Sequence, residues 1–250
     1  MRTYFTLVRR ELGGHFLTWS GYFVLAAVVF LLGLSFVGLV TALRSVRTET
    51  PFTEVFYDTY YFWLIVLIAT PVVTMRTYAH EKFAGTFETL MTAPVSEAAV
   101  VLAKFTGAMV FYLVLWLPLL PCLWVLDQFT RDSVVLDAGA IAVTFLGIML
   151  LGGVFVSLGC LASSVTRSQM VAAMMSFTGG VSFFLLAYLA QSMASEPGWV
   201  GLVFSHLGLM DHMRDFSRGV VDSRPVVFYL SLILTFLFFT YRVVDSRRWK

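Results

Sequence analysis

The sequence predicts an all-α integral membrane protein built on six transmembrane helices, and three observations carry that reading. Hydrophobic residues make up 59% of the 250 positions and charged residues only 13%, with a mean hydropathy of +0.84. Soluble domains are roughly one-quarter charged, so one aqueous core cannot hide this much apolar surface. Six runs approach or exceed the ~20 apolar residues that cross a bilayer. They lie at roughly 20–43, 58–78, 99–126, 138–163, 168–191 and 225–242. Stretches such as FVLAAVVFLLGLSFVGLV are continuous rather than alternating, which favours helices over lipid-facing barrel strands.

Ahead of the first run, Phe5, Val8, Leu12, Phe16 and Trp19 recur at helical spacing, with Arg9, Arg10 and Glu11 largely on another side. The pattern predicts an interfacial helix over residues 1–19, its aromatics at headgroup depth and its arginines in water. Gly13-Gly14 would weaken or bend it. No small-x-small cleavage site follows the first run, which reads as a retained span. Between spans one and two, RSVRTETPFTEVFYD reads as an outer loop, and DQFTRDSVVLD reads as another between spans three and four. Pro118 and Pro121 should break the third span near its outer end, because each removes a backbone donor. In the fourth span, Gly153 with Ser157 and Gly159 with Ser163 invite close helix approach, within the chain or between subunits. Cys122 and Cys160 both fall inside spans, so they read as small buried residues and not as a disulfide framework.

The segment 192–224 is more patterned than a loop. Leu209, Met213, Phe216 and Val220 recur at helical spacing, so short helices dipping into the outer leaflet are expected. His206, Asp211 and His212 lack a recognised metal-site spacing, and no metal is expected.

Placing both termini inside puts Arg2, Arg9, Arg10, Arg76, Lys82, Lys104, Arg167, Arg242, Arg247, Arg248 and Lys250 on the inner side, most of the 17 basic residues. That bias satisfies the positive-inside rule. The spans hold almost no ionisable groups away from their ends, which disfavours an ion-coupled transporter. No GxxxxGK[ST] loop occurs, so nucleotide hydrolysis is expected from another chain. Neither paired aspartates nor HExxH supports an intramembrane protease.

The polar stretch TYAHEKFAGTFETLMTAPVS, residues 77–96, falls between spans two and three. Phe83, Phe87, Leu90 and Met91 would share one helical face, leaving Glu81, Lys82, Glu88 and Thr89 on others. Gly85 permits a change of direction, Thr86 is a candidate N-cap, and Pro94 should end the helix. The expected product is a helix over about 81–92, either resting on the lipid surface or acting as a lever between two spans.

The string E-K-x-x-G-T-x-E-x-L-x-x-A-P-V-S, Glu81 to Ser96, followed by V-L-A-K at Val101 to Lys104, resembles the signature of type-2 ABC transporter permeases. It is most similar to the gliding-motility-associated branch. R-R-E-L at Arg9 to Leu12 and SHLGLMDHMRDFSRGVVDSRPVVFY before the last span also fit. Where the usual pattern reads G-T-L-E-L-L, this chain has Phe87-Glu88-Thr89-Leu90. The resemblance implies a six-helix, single-domain permease in the bacterial inner membrane. It would pair with a second permease subunit, identical or related, and sit on two copies of a separate ABC ATPase that binds ATP and Mg. Glu81, Gly85, Thr86, Phe87, Glu88 and Leu90 would form the ATPase-coupling helix, with Phe87 and Leu90 packing into the ATPase. Arg9, Arg10 and Glu11 would lie on the interfacial connecting helix. No catalytic residue, cofactor or nucleic acid is expected for this chain; membrane lipid and an envelope accessory protein are the other partners. The function implied is ATP-driven export of a substrate, or alternatively mechanical signalling to an envelope or motility complex.

Overall fold

The computed structural model describes residues 2–43, 52–92, 95–129, 138–193 and 208–246. Pro94 and His206, singled out above, lie outside the described residues, as does the side chain of Met91. Every regular element among the described residues is an α-helix. In chain order these are α1 (Arg2–Phe16), α2 (Trp19–Leu43), α3 (Phe52–Asp58), α4 (Tyr60–Thr74), α5 (Ala79–Phe83), α6 (Thr86–Thr92), α7 (Glu97–Trp116), α8 (Leu119–Phe129), α9 (Ala138–Val165), α10 (Gln169–Met193), α11 (Leu209–Ser217) and α12 (Ser223–Asp245). Six stretches are long and apolar enough to cross a membrane: Trp19–Thr41, Tyr60–Phe83, Glu97–Leu126, Ala138–Val165, Gln169–Ala190 and Ser223–Asp245. They coincide with the six runs read from the sequence. The third breaks at Pro118, as its prolines require, into α7 and α8.

Helix α9 is the hub, packed against α4, α7, α10, α11 and α12. Its small residues explain why neighbours come so close. A Cβ built on Gly152 would lie 2.0 Å from the Tyr112 ring, one on Gly153 would lie 2.7 Å from Ile233, and one on Gly159 would lie 2.1 Å from Thr74 Oγ1. Those neighbours belong to α7, α12 and α4, so the small-residue stripe serves packing within the chain. Hydroxyls inside the spans bond their own helices, as Thr70 Oγ1 does to Val66 O at 2.7 Å and Ser157 Oγ to Val154 O at 2.8 Å. Cys160 is a buried free thiol and Cys122 a partly buried one.

At one end of the bundle two sequence expectations need correction. The segment before span two, read as a loop, contains helix α3, with Phe56 and Tyr57 each 3% exposed. Its partner is α11, whose apolar stripe is covered by the chain's own helices rather than left for lipid: Leu209, Met213 and Phe216 are buried in the chain, and Phe216 sits against Gly147 of α9. Val220 alone of that stripe remains exposed. Stapling α3 to α11, Arg218 donates to Glu54 Oε2 at 2.9 Å and Oε1 at 2.6 Å, and Thr53 Oγ1 donates to the Ser217 carbonyl at 2.6 Å. Thr53→Val keeps the shape and removes the donor. It is expected to cost about 1 kcal/mol, measurable as a lower denaturation midpoint in detergent.

Outward-facing surfaces are apolar. Phe23 and Phe30 on α2, Met174 and Leu189 on α10, and Leu234 and Phe238 on α12 are all exposed. In a bilayer this surface meets acyl chains or a second subunit, and it needs neither polar cover nor caps.

Candidate functional site

Helices α1, α5 and α6 gather at the end of the bundle opposite α3 and α11. Where α4 stops, the backbone turns through Met75–Tyr78, and the Ser163 hydroxyl of α9 holds that turn. Ser163 Oγ accepts from the Tyr78 and Ala79 amides, each at 3.1 Å, and donates to the Met75 carbonyl at 3.1 Å. One small hydroxyl thereby satisfies backbone groups that an unwound turn would leave unpaired. Chain direction changes again at Gly85, where φ is +73°, a value costly for residues with a Cβ.

The single helix expected over 81–92 is therefore two short helices, α5 and α6, hinged at Gly85. Thr86 does not cap from outside. It is the first residue of α6, and its hydroxyl donates back to the Glu81 carbonyl at 3.4 Å.

An ionic network fastens this element to α1 and α7. Lys104, on the second turn of α7, is 2% exposed; its Nζ lies 3.0 Å from Glu11 Oε1 and 2.9 Å from Glu81 Oε2 and donates to the Thr77 carbonyl at 2.7 Å. Arg10 Nη2 lies 2.6 Å from Glu81 Oε1 and 3.1 Å from Glu11 Oε1. Both carboxylates are largely enclosed, with side-chain exposures of 12% for Glu11 and 17% for Glu81. A lone buried charge would carry a desolvation cost of several kcal/mol, and the reciprocal pairing offsets it. Glu11 thus points into the protein, while Arg9 and Arg10 are exposed. Lys104, near the inner end of its span as the sequence placed it, is enclosed by the protein.

Further contacts bind α5 to the rest of the bundle. Lys82 donates to the Ser164 carbonyl of α9, and Gln169 of α10 meets His80 Nδ1 at 3.0 Å. On α1, Tyr4 OH meets Thr106 Oγ1 at 2.8 Å, and His15 stacks on Phe111 with centroids 5.1 Å apart. Burial lowers the His15 pKa, against an opposing pull from Glu11. The imidazole is neutral at physiological pH.

Phe87 does not share an outward face with Phe83. It is 6% exposed, its ring beneath the Lys82 ammonium at 5.2 Å and edge-on to Tyr78 at 6.5 Å. Phe87, expected to pack into an ATPase, packs here against its own chain. Phe83 is 79% exposed instead, Gly85, Thr86 and Glu88 are exposed, and Leu90 is half-buried. Phe83 borders a cleft of about 440 Å³ with Arg167, Ser168, Gln169 and Met170, the last 77% exposed.

Among the described residues no group of three or more His, Cys, Asp or Glu side chains could hold a metal. His212 packs between the Phe228 and Tyr229 rings, at 5.9 and 5.8 Å. Toward the α3 end, an apolar groove of about 530 Å³ runs between α4 and α10 past Trp63, Leu67 and Phe184, and ends at Glu54 and Arg214.

Six apolar helices around a glycine-rich hub, with a hinged polar element ionically tied to an amphipathic N-terminal helix, define a multi-pass membrane domain. Residues 33–199, about two-thirds of the chain, match the family model described as ABC-2 family transporter protein, and the chain belongs to that family. Membership makes it a permease component of ABC-2 type and implies an ABC ATPase partner. No curated protein matches the chain in sequence.

Proposed function

We propose that this chain is the permease subunit of an ATP-driven exporter in the bacterial inner membrane, with both termini cytoplasmic, working as a dimer on two separate ATPase subunits. The observation that carries the coupling role is the α5–α6 element. It is exposed on one side and anchored on the other to α1 by Arg10, to α7 by Lys104, to α9 through Ser163 and Lys82, and to α10 by Gln169. A push on its outer face must move those helices, because the ion pairs and backbone bonds leave it no independent freedom. Closure of the ATPases around ATP then biases the bundle toward a second arrangement, which is the physical content of coupling.

Phe83, Glu88 and Leu90 form the docking surface on α5 and α6, with Met170 and Arg167 beside them across the cleft. Glu81 and Gly85 act one step inward, as anchor and hinge; Thr86 lies beside the hinge, and Phe87 seats α6 on its own chain. Cargo of amphiphilic character suits the groove between α4 and α10, whose walls are apolar and whose end is charged.

The test is ATPase stimulation. Purified with its ATPase and reconstituted, Phe83→Glu combined with Glu88→Lys is expected to lower permease-dependent ATP hydrolysis by about tenfold, the scale of one lost interface anchor. Insertion and thermal melting should be unaffected, since both side chains are exposed. Full stimulation in the double variant would remove α5–α6 as the docking element.

A further inference from the structure

Beside the ionic network lies a cavity of about 260 Å³, enclosed by α1, the start of α2, the turn after α4, α5 and α7. The charged side chains facing it are Arg10, Glu11, Arg76, Glu81 and Lys104, together with His15 and His80. Glu11 and Glu81 are already engaged by Lys104 and Arg10. That leaves Arg76, half-buried, whose guanidinium donates to the Ser20 hydroxyl and forms no ion pair among the described residues. Neither His15 nor His80 can supply the negative charge that would balance it. The cavity therefore has one cation in excess, held at the depth where α4 leaves the apolar zone.

Its other features suit a head group. Thr18 and Ser20 supply hydroxyls, Val24 and Val72 form an apolar wall, and a Cβ added at Gly14 would meet nothing within 4 Å, so the α1 side is open. A guanidinium matches the geometry of phosphate oxygens, and basic pockets at the ends of membrane helices bind lipid head groups.

We propose that this cavity binds the phosphate of an anionic phospholipid, with Arg76 as its principal ligand. Its occupant bridges α1, α2 and α4, so that the amphipathic helix is held by lipid as well as by Glu11. This rests on the chain spanning a membrane and not on ATPase docking, so it survives failure of the docking experiment.

Native mass spectrometry of the full chain in mild detergent tests it, with phosphatidylglycerol, diacylglycerol and inorganic phosphate as probes. The wild type is expected to retain one phosphatidylglycerol per chain and little diacylglycerol. Arg76→Gln should retain about tenfold less, as expected for loss of a charge-assisted bidentate contact. Arg76→Lys should fall between, because an ammonium keeps the charge without the fork. Arg9→Gln, on the exposed side of α1, should match wild type. Displacement of the lipid by inorganic phosphate alone supports the ligation and makes free phosphate a competing source. Should Arg76→Gln fail to fold, Gly14→Leu fills the cavity with Arg76 intact and should show the same loss. Equal retention of diacylglycerol, or undiminished phosphatidylglycerol in the folded variants, overturns the proposal.

Discussion

Lys104→Met is expected to lower the stability of the detergent-solubilised protein by about 3 kcal/mol, because removing its charge leaves two enclosed carboxylates to share the half-exposed Arg10. Methionine keeps the length and packing of the lysine stem, so the effect isolates the charge. Lys104 is 2% exposed, and Glu11 and Glu81 only 12% and 17%, so water cannot rehydrate them without opening the α1–α7 contact. Arg10, 48% exposed at its side chain, stays beside both Glu81 and Glu11 and keeps the loss near the lower end of the range for broken buried pairs. Adding Glu11→Gln and Glu81→Gln should recover most of the loss, since the penalty comes from uncompensated charge and not from missing contacts. Thermal melting read by tryptophan fluorescence distinguishes the outcomes. A Lys104→Met protein that melts with the wild type would mean that the network does not hold α5 to α1 and α7.

The second large effect belongs to Gly159. A Cβ there would stand 2.1 Å from Thr74 Oγ1, 2.7 Å from Thr74 Cβ and 3.0 Å from Ser176 Oγ. Thr74 cannot easily yield, because its hydroxyl donates to the Thr70 carbonyl at 2.8 Å within α4. Gly159→Val must push α4 away from α9 and is expected to cost about 2–3 kcal/mol, at the upper end for overpacking. The same contact lies one turn of α9 before Ser163, which holds the root of α5, so ATPase coupling should fall as well. Thr74→Ala in the Gly159→Ala background removes the 2.1 Å contact while leaving the 2.7 Å one, so it should relieve part of the clash and show positive coupling in a double-mutant cycle. Gly33→Ala on α2, where nothing lies within 4 Å, is the contrast: it should be neutral or slightly stabilising through helix propensity. If Gly159→Val and Gly33→Ala melt alike, α4 and α9 are not in contact at this point.

Much of the architecture was legible in composition and period. Uninterrupted apolar runs mark helices in lipid, prolines mark the break between α7 and α8, and the spacing around Phe5 to Phe16 marks α1. Small residues on α9 announced close packing, though their partners on α4, α7 and α12 were invisible. The candidate site was only half legible. Residues 81–92 stood out as polar between greasy neighbours, yet helical spacing placed Phe83 and Phe87 together on one face. The hinge at Gly85 separates them, burying one and exposing the other. Helix α3 was missed because its buried face is completed by α11, some 150 residues later in the chain.

By itself the sequence determined the environment, the number of spans and the position of the polar element, because those follow from how much apolar length each segment offers to a bilayer. Tertiary structure alone decided that Lys104, Glu11 and Glu81 meet, that Arg76 is left without a carboxylate among the described residues, and that Phe83 rather than Phe87 faces outward. Those outcomes depend on which helix faces oppose one another across the bundle, and a one-dimensional period carries no information about a face's partner.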